Sequence, residues 1–239
     1  MSFIKRVRMK TSDKFEVEYY HELPVIKWFK QNEGLVLSDK LTIISGENGQ
    51  GKSTFIEALA VAMGMNAEGG SQQFNFATKA THSQLSEQLV VHKTGRLPRL
   101  KYFLRAESYY NLASEIEKLA VGGYGDKSLH QQSHGEGVMA LIEHRFEAQG
   151  LYFFDEPEAG LSPARQMTLL RVFDELLKEG SQLVVATHSP ILLAHPEALI
   201  YQFGEEGISE VGYRETSCFD DMRVFIENPE RMVHYLLED

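Results

Sequence analysis

The chain has 239 residues and one cysteine, Cys218. A single thiol excludes a disulfide-stapled fold and a cysteine-built structural zinc site, and it fits a reducing, cytoplasmic compartment. Long hydrophobic runs are missing too. Runs such as Leu183 to Ala186 and Ile191 to Ala194 fall far short of the roughly 20 apolar residues a spanning helix needs. Met1 to Lys14 carries basic residues with no apolar stretch behind them, so no secretory leader is expected, and any membrane role would come through a partner. Positive charge is in deficit, with 24 Lys+Arg against 34 Asp+Glu and a net charge of −10. That excludes a surface that coats nucleic acid unaided, while leaving room for a local basic patch or for DNA reached through another subunit. Internal repeats, heptads and low-complexity blocks are absent, which excludes solenoids and long coiled coils.

What remains is ordinary for a globular chain, with 43% hydrophobic and 24% charged residues. The length suits one domain, 1–239, with an insert over about 70–135. Short strands are expected first, at Phe15–Tyr20 and at Pro24–Phe29, the latter bounded by Pro24 and Gly34. The apolar strand Leu41–Ile44 leads into a glycine-rich run. Helical spacing follows at Phe55, Ile56, Leu59, Ala60 and Met63. Glu68–Ser86 is polar and reads as a loop. Lys101–Leu104 reads as a strand, Tyr109–Leu119 as a helix broken at Gly122–Gly125, and Gly135–Ala148 as a further helix. Leu151–Phe154, Leu183–Ala186 and Ala198–Phe203 read as buried strands around the helix Pro163–Lys178, with a hairpin at 207–213 and a closing helix at 219–238. Strands alternating with helices predict an α/β fold with a parallel sheet.

Gly46-Glu-Asn-Gly-Gln-Gly-Lys52-Ser53 matches G-x-x-x-x-G-K-[ST] between a strand and a helix. Glycines allow the loop to wrap a polyphosphate closely, and its N–H groups and the helix start face the negative charge. Asn48, Gly49, Gln50, Gly51, Lys52, Ser53 and Thr54 are thus the expected nucleotide contacts. Lys52 reaches the β/γ-phosphates, and the Ser53 hydroxyl ligates Mg²⁺. Asp155 ends an apolar strand, expected beside the loop strand, and is the expected metal-holding carboxylate. Glu156 follows it and is placed to polarise a water; an acidic helix cap before Pro157 is the bland alternative. His188, after the strand Leu183–Ala186, sits where α/β sheets bind ligands and is placed at the γ-phosphate side. His130 and His134 are four residues apart, but no third zinc ligand is evident.

In this order the motifs resemble the ATP-binding-cassette (ABC) class of P-loop ATPases. Ser133-His-Gly135-Glu136-Gly137 is similar to that class's signature. It opens a helix 22 residues before Asp155, although alone it would read as a capping box. The resemblance implies an ATP hydrolase using ATP and Mg²⁺, built as a P-loop NTPase, ABC-type nucleotide-binding domain with a mostly parallel central sheet, N-terminal antiparallel strands and a small helical insert. It also implies a head-to-tail homodimer in which Ser133, Gly135 and Glu136 cap the nucleotide of the second subunit, and whose closure drives or gates a protein partner. Two elements depart from the family pattern. Ser162 stands where the D-loop has Asp, and Glu107 where the Q-loop has Gln, with Gln72 and Gln73 as rivals. The glycine-rich run and Ala186-Thr-His-Ser-Pro190 further resemble small bacterial-type AAA/ABC-like ATPases of the repair and chromosome-maintenance branch. A nucleotide switch with little turnover and a transporter energy subunit are the alternatives. The 80 residues between Lys52 and Ser133 are too few for that branch's long coiled-coil arm.

Overall fold

The computed structural model describes residues 2–10, 19–67, 69–71, 84–105 and 134–238. Its backbone is organised by three strands in which every residue is buried: β3 (Leu41–Gly46), β7 (Leu151–Asp155) and β8 (Gln182–Ala186). Alternate side chains on a strand point to opposite faces, so an apolar run feeds two cores at once. Leu41, Ile43, Tyr152, Phe154, Leu183 and Val185 enter one core, and Ile44, Leu151, Phe153, Val184 and Ala186 the other. Fully burying one such side chain stabilises by about 1.5–3 kcal/mol.

With β4 (Gly70–Ser71), β6 (Lys101–Arg105), β9 (Ala198–Gly204) and β10 (Gly207–Val211), these strands form a seven-stranded sheet in the order β10-β9-β3-β8-β7-β6-β4. The five inner strands run parallel, and the edge pairs β10/β9 and β4/β6 are antiparallel. Helix α2 (Lys52–Ala62) shares one core with a second sheet, β2-β1-β5, built from Leu35–Val36, Ile4–Met9 and Leu89–Lys93. Helices α4 (His134–Arg145) and α5 (Pro163–Lys178) cover the opposite face, where Val138, Leu141, Ile142, Leu169 and Phe173 are buried. The α/β fold with a mostly parallel sheet and an N-terminal antiparallel layer is therefore present.

Several local expectations change. Pro24–Phe29 is not a strand but most of helix α1 (Pro24–Gln31), whose Val25, Ile26 and Phe29 make one buried stripe. Proline opens the helix at no hydrogen-bond cost, because a first-turn N–H has no partner anyway. Of Phe15–Tyr20 only Tyr19 and Tyr20 are described; they begin a single 3-10 turn, Tyr19–Glu22. The antiparallel layer is instead built from β1, β2 and β5, whose half-buried alternation is weak in sequence. Within Glu68–Ser86 lie β4 and the start of the short helix α3 (Leu85–Gln88). The closing helix divides into α7 (Ser217–Glu227) and α8 (Pro229–Leu237), because Asn228 ends the first and caps the second ahead of Pro229. Neither has a buried residue. The expected helix Tyr109–Leu119 and its break at Gly122–Gly125 lie outside the described residues.

Candidate functional site

The phosphate-binding loop connects β3 to α2, and two glycines show why it takes its path. Gly46 has φ +139°, and a Cβ there would lie 2.3 Å from the Phe203 carbonyl oxygen. Gly51, at φ +89°, caps α2 in the left-handed region, and a Cβ would come within 2.9 Å of Val25 Cγ1. Both conformations disfavour any side chain. The first turn of α2 then aims its backbone N–H groups and its positive end at the loop's concavity.

Lys52 and Ser53 open that helix. Lys52 is buried, and its Nζ donates to the Glu47 carbonyl at 2.8 Å. Burial pulls its ammonium below the usual lysine range, against the opposing pull of Glu156, Asp155, Glu158 and Glu47. A phosphate would replace the carbonyl as a stronger, charged acceptor. The Ser53 hydroxyl donates to Asp155 Oδ1 at 2.9 Å, although 102 residues separate the two. Asp155 is not on the strand next to β3, as expected from the sequence, since β8 lies between them. The parallel register sets Ile44, Ala186 and Asp155 level, so Ser53 reaches across the carboxyl edge of β8. A hydroxyl and a carboxylate are hard oxygen donors that suit Mg²⁺, and these two residues fit the ion expected with ATP.

Glu156 leaves the strand at φ +50°, one of two positive values among the described non-glycine residues. Its N–H is held by the Ala186 carbonyl at 2.9 Å. Strained backbone of this kind concentrates at functional sites. His188 Nε2 lies 3.6 Å from Glu156 Oε1 and has no hydrogen-bond partner among the described residues. Burial lowers the His188 pKa, the Lys52 charge lowers it further and Glu156 opposes both, so the imidazole is neutral near pH 7. Lys52, Ser53, Asp155, Glu156 and His188 therefore converge at one sheet edge.

Other expected residues fare differently. Gly135 and Glu136 lie in the first turn of α4. Ser133, Glu107, Gln72 and Gln73 lie outside the described residues. Ser162 caps α5, its side chain accepting from the Arg165 N–H at 3.4 Å, which is the role an Asp there would also fill. Three residues escaped the sequence reading. Arg105 ends β6 with Nη1 2.7 Å from Glu57 Oε2 and Nε 3.6 Å from Asp155 Oδ2. Glu158 accepts from the His188 N–H at 2.7 Å. Burial raises the Glu158 pKa, against hydrogen bonds from Thr187 and His188 that favour its charge. Cys218, on α7, donates its thiol to the His188 carbonyl at 2.6 Å. No local pattern marks these pairings. Only Glu158 carried a trace, an acidic residue two places after Glu156.

Comparison with known proteins follows the same geometry. Residues 96–194 match a family described as "AAA domain, putative AbiEii toxin, Type IV TA system", and residues 25–120 match a family described as "AAA domain". Over 226 residues, 77% of this chain, it is 25% identical to a "Putative ABC transporter ATP-binding protein" of Bacillus anthracis. It is 24% identical over 191 residues, 71% of this chain, to the manganese transport system ATP-binding protein MntB of Bacillus subtilis. The chain spans 40% of the first protein's length and 73% of the second's. Among solved structures, cbiO1 from Clostridium perfringens, part of the ABC transporter complex cbiONQ, superposes with a TM-score of 0.51 at 14% identity, covering 99% of both chains. An inward-facing "putative metal-chelate type ABC transporter" gives 0.51 at 15% identity, covering 95% of this chain and 90% of that one. With the phosphate loop, the acidic strand end and the sheet order in place, the chain has a P-loop NTPase fold and is similar over residues 25–194 to ATP-binding ABC/AAA-like ATPase domains.

Proposed function

We propose that this chain hydrolyses ATP with Mg²⁺ and uses the cycle to drive or gate a protein partner. The observation that carries the reading is the Ser53–Asp155 contact, with Glu156 and His188 beside it on the same edge. In this reading Asn48 to Thr54 wrap the phosphates and Lys52 neutralises charge developing on the β- and γ-phosphates. Ser53 and Asp155 hold the metal, which when bound polarises the phosphoryl oxygens. Glu156 accepts a proton from the attacking water, and the neutral His188 imidazole orients that water or the γ-phosphate. Ser133, Gly135 and Glu136 serve the nucleotide of a second copy in a head-to-tail pair, and Glu107 stands in for the Q-loop residue. One domain, 1–239, carries all of this.

Removing the Glu156 charge while keeping its shape tests the reading. Glu156→Gln is expected to bind Mg·ATP and accumulate as a dimer by size exclusion with light scattering, with turnover lost. A variant that stays monomeric in ATP overturns the sandwich. Wild-type protein that releases no phosphate from ATP overturns hydrolysis and leaves the nucleotide-switch reading.

The partner's biology has two readings. One is a partner in repair or defence, and the family description that names the AbiEii toxin and a Type IV TA system bears on defence alone. The transport proteins among the relatives support an energy subunit of a transporter. Co-purification of Glu156→Gln with membranes in ATP decides for the second, and its absence, with a nucleic-acid-processing protein recovered, for the first.

A further inference from the structure

His188 falls between two stretches of regular backbone hydrogen bonding. Strand β8 ends at Ala186, and the Thr187 N–H makes the last bond to β3, to the Ile44 carbonyl at 3.1 Å. Ser189 already caps the next helix, α6 (Pro190–Leu193), by accepting from Leu192. Between ladder and cap, the His188 peptide is held by side chains. Its N–H donates to Glu158 Oε1 at 2.7 Å, and its carbonyl accepts the Cys218 thiol at 2.6 Å.

Glu158 comes from the turn that carries Glu156, where the Ala159 N–H closes onto the Glu156 carbonyl at 3.0 Å. One carboxylate thus ties the loop bearing the water-polarising Glu156 to the loop bearing His188. Burying a carboxylate is costly, and an apolar residue would cost less if the site needed only filling. We propose that Glu158 is a positioning residue for His188, clamping the histidine's peptide so that its imidazole keeps its place beside Glu156. The proposal rests on the hydrolytic reading above for its kinetic consequence, but its structural part stands on the clamp alone. Cys218 holds the peptide from the other side, so α7 shares in the clamp.

Three full-length proteins test this: wild type, Glu158→Leu, which removes both acceptor oxygens, and Glu158→Gln, which keeps one. Turnover and Mg·ATP affinity are measured for each. The His188 imidazole is followed by ¹H–¹⁵N NMR, its signal assigned by its loss in His188→Gln. Glu158→Leu should lower kcat by roughly tenfold or more, since an ångström of misplacement is costly in catalysis, while ATP affinity stays within about twofold. Its His188 signal should move, and Glu158→Gln should recover most of both. A wild-type kcat in Glu158→Leu overturns the proposal, as does an affinity loss that equals the kcat loss, or an unmoved His188 signal. If wild-type protein shows no turnover, the hydrolytic reading fails, and the NMR comparison still decides the clamp. If Glu158→Leu does not fold, Glu158→Ala carries the same comparison.

Discussion

Gln182 offers a sharp test of how the antiparallel layer is fastened to the central sheet. It begins β8 with no exposed surface. Its Oε1 accepts from the Phe3 N–H at 2.8 Å and the Ile4 N–H at 2.9 Å. Its Nε2 donates to the Ile4 carbonyl and the Ser38 carbonyl, both at 2.8 Å. A single side-chain amide therefore acts as a strand partner for the start of β1, 178 residues away. Gln182→Leu keeps the volume but leaves the Phe3 N–H, Ile4 N–H, Ile4 carbonyl and Ser38 carbonyl without its amide, the first three in a buried setting. Each such group costs about 1–3 kcal/mol, and some relaxation toward water offsets part of the total, so about 4 kcal/mol is expected. For a chain of this length, each kcal/mol lowers Tm by about 2–4 °C, giving a drop of roughly 8–16 °C. Thermal and urea unfolding followed by circular dichroism measure it. Hydrogen exchange should show faster exchange at the Phe3 and Ile4 amides, with the amides of β3 still protected below the global transition. A Tm within about 3 °C of wild type, or unchanged exchange at Phe3 and Ile4, refutes the reasoning.

Gly46→Ala should destabilise by about 2–4 kcal/mol, because the added Cβ meets the Phe203 carbonyl at 2.3 Å and the φ of +139° is strained for any side chain; urea unfolding with an unchanged midpoint would contradict this. Acid should weaken the fold through His188 and His195, whose pKa values burial lowers below 6.5. Below that pH the unfolded chain binds more protons than the folded one, so stability rises with pH there and is lost as pH falls from 6.5 toward the folded values. Tm measured from pH 8 to 5 should fall below pH 6.5, and His195→Gln should flatten the fall; an identical slope in that variant removes His195 from the account.

The parts of the site that were legible in sequence share a cause. The glycine-rich run needs its φ angles locally, and its strand-before, helix-after setting is local too, so Lys52 and Ser53 could be placed from neighbours alone. Asp155, Glu156 and His188 could be assigned to strand ends because apolar runs buried on both faces stop abruptly before them. The misread elements also have causes. Pro24–Phe29 carries a pattern compatible with either period, and packing of Val25, Ile26 and Phe29 into the core chose the helix. The alternation of β1 is broken by the irregularity between Ile4 and Arg6, and β5 buries only Leu89, so neither strand leaves a full period-2 pattern to read.

By itself, then, the sequence determined the α/β alternation and the separate motifs that meet at the sheet edge, since each of these is a local pattern. Which strand lies beside which was decided only in three dimensions. The order β3-β8-β7 puts Asp155 one strand further from the phosphate loop than its motif suggests, and it is the level register of the parallel ladder that returns it to Ser53. The same holds for Gln182 on β1, Arg105 between Glu57 and Asp155, and the Glu158–His188–Cys218 clamp. These contacts satisfy buried polar groups, and such groups must find partners wherever the fold brings them, so their pairing leaves no period or spacing in the chain.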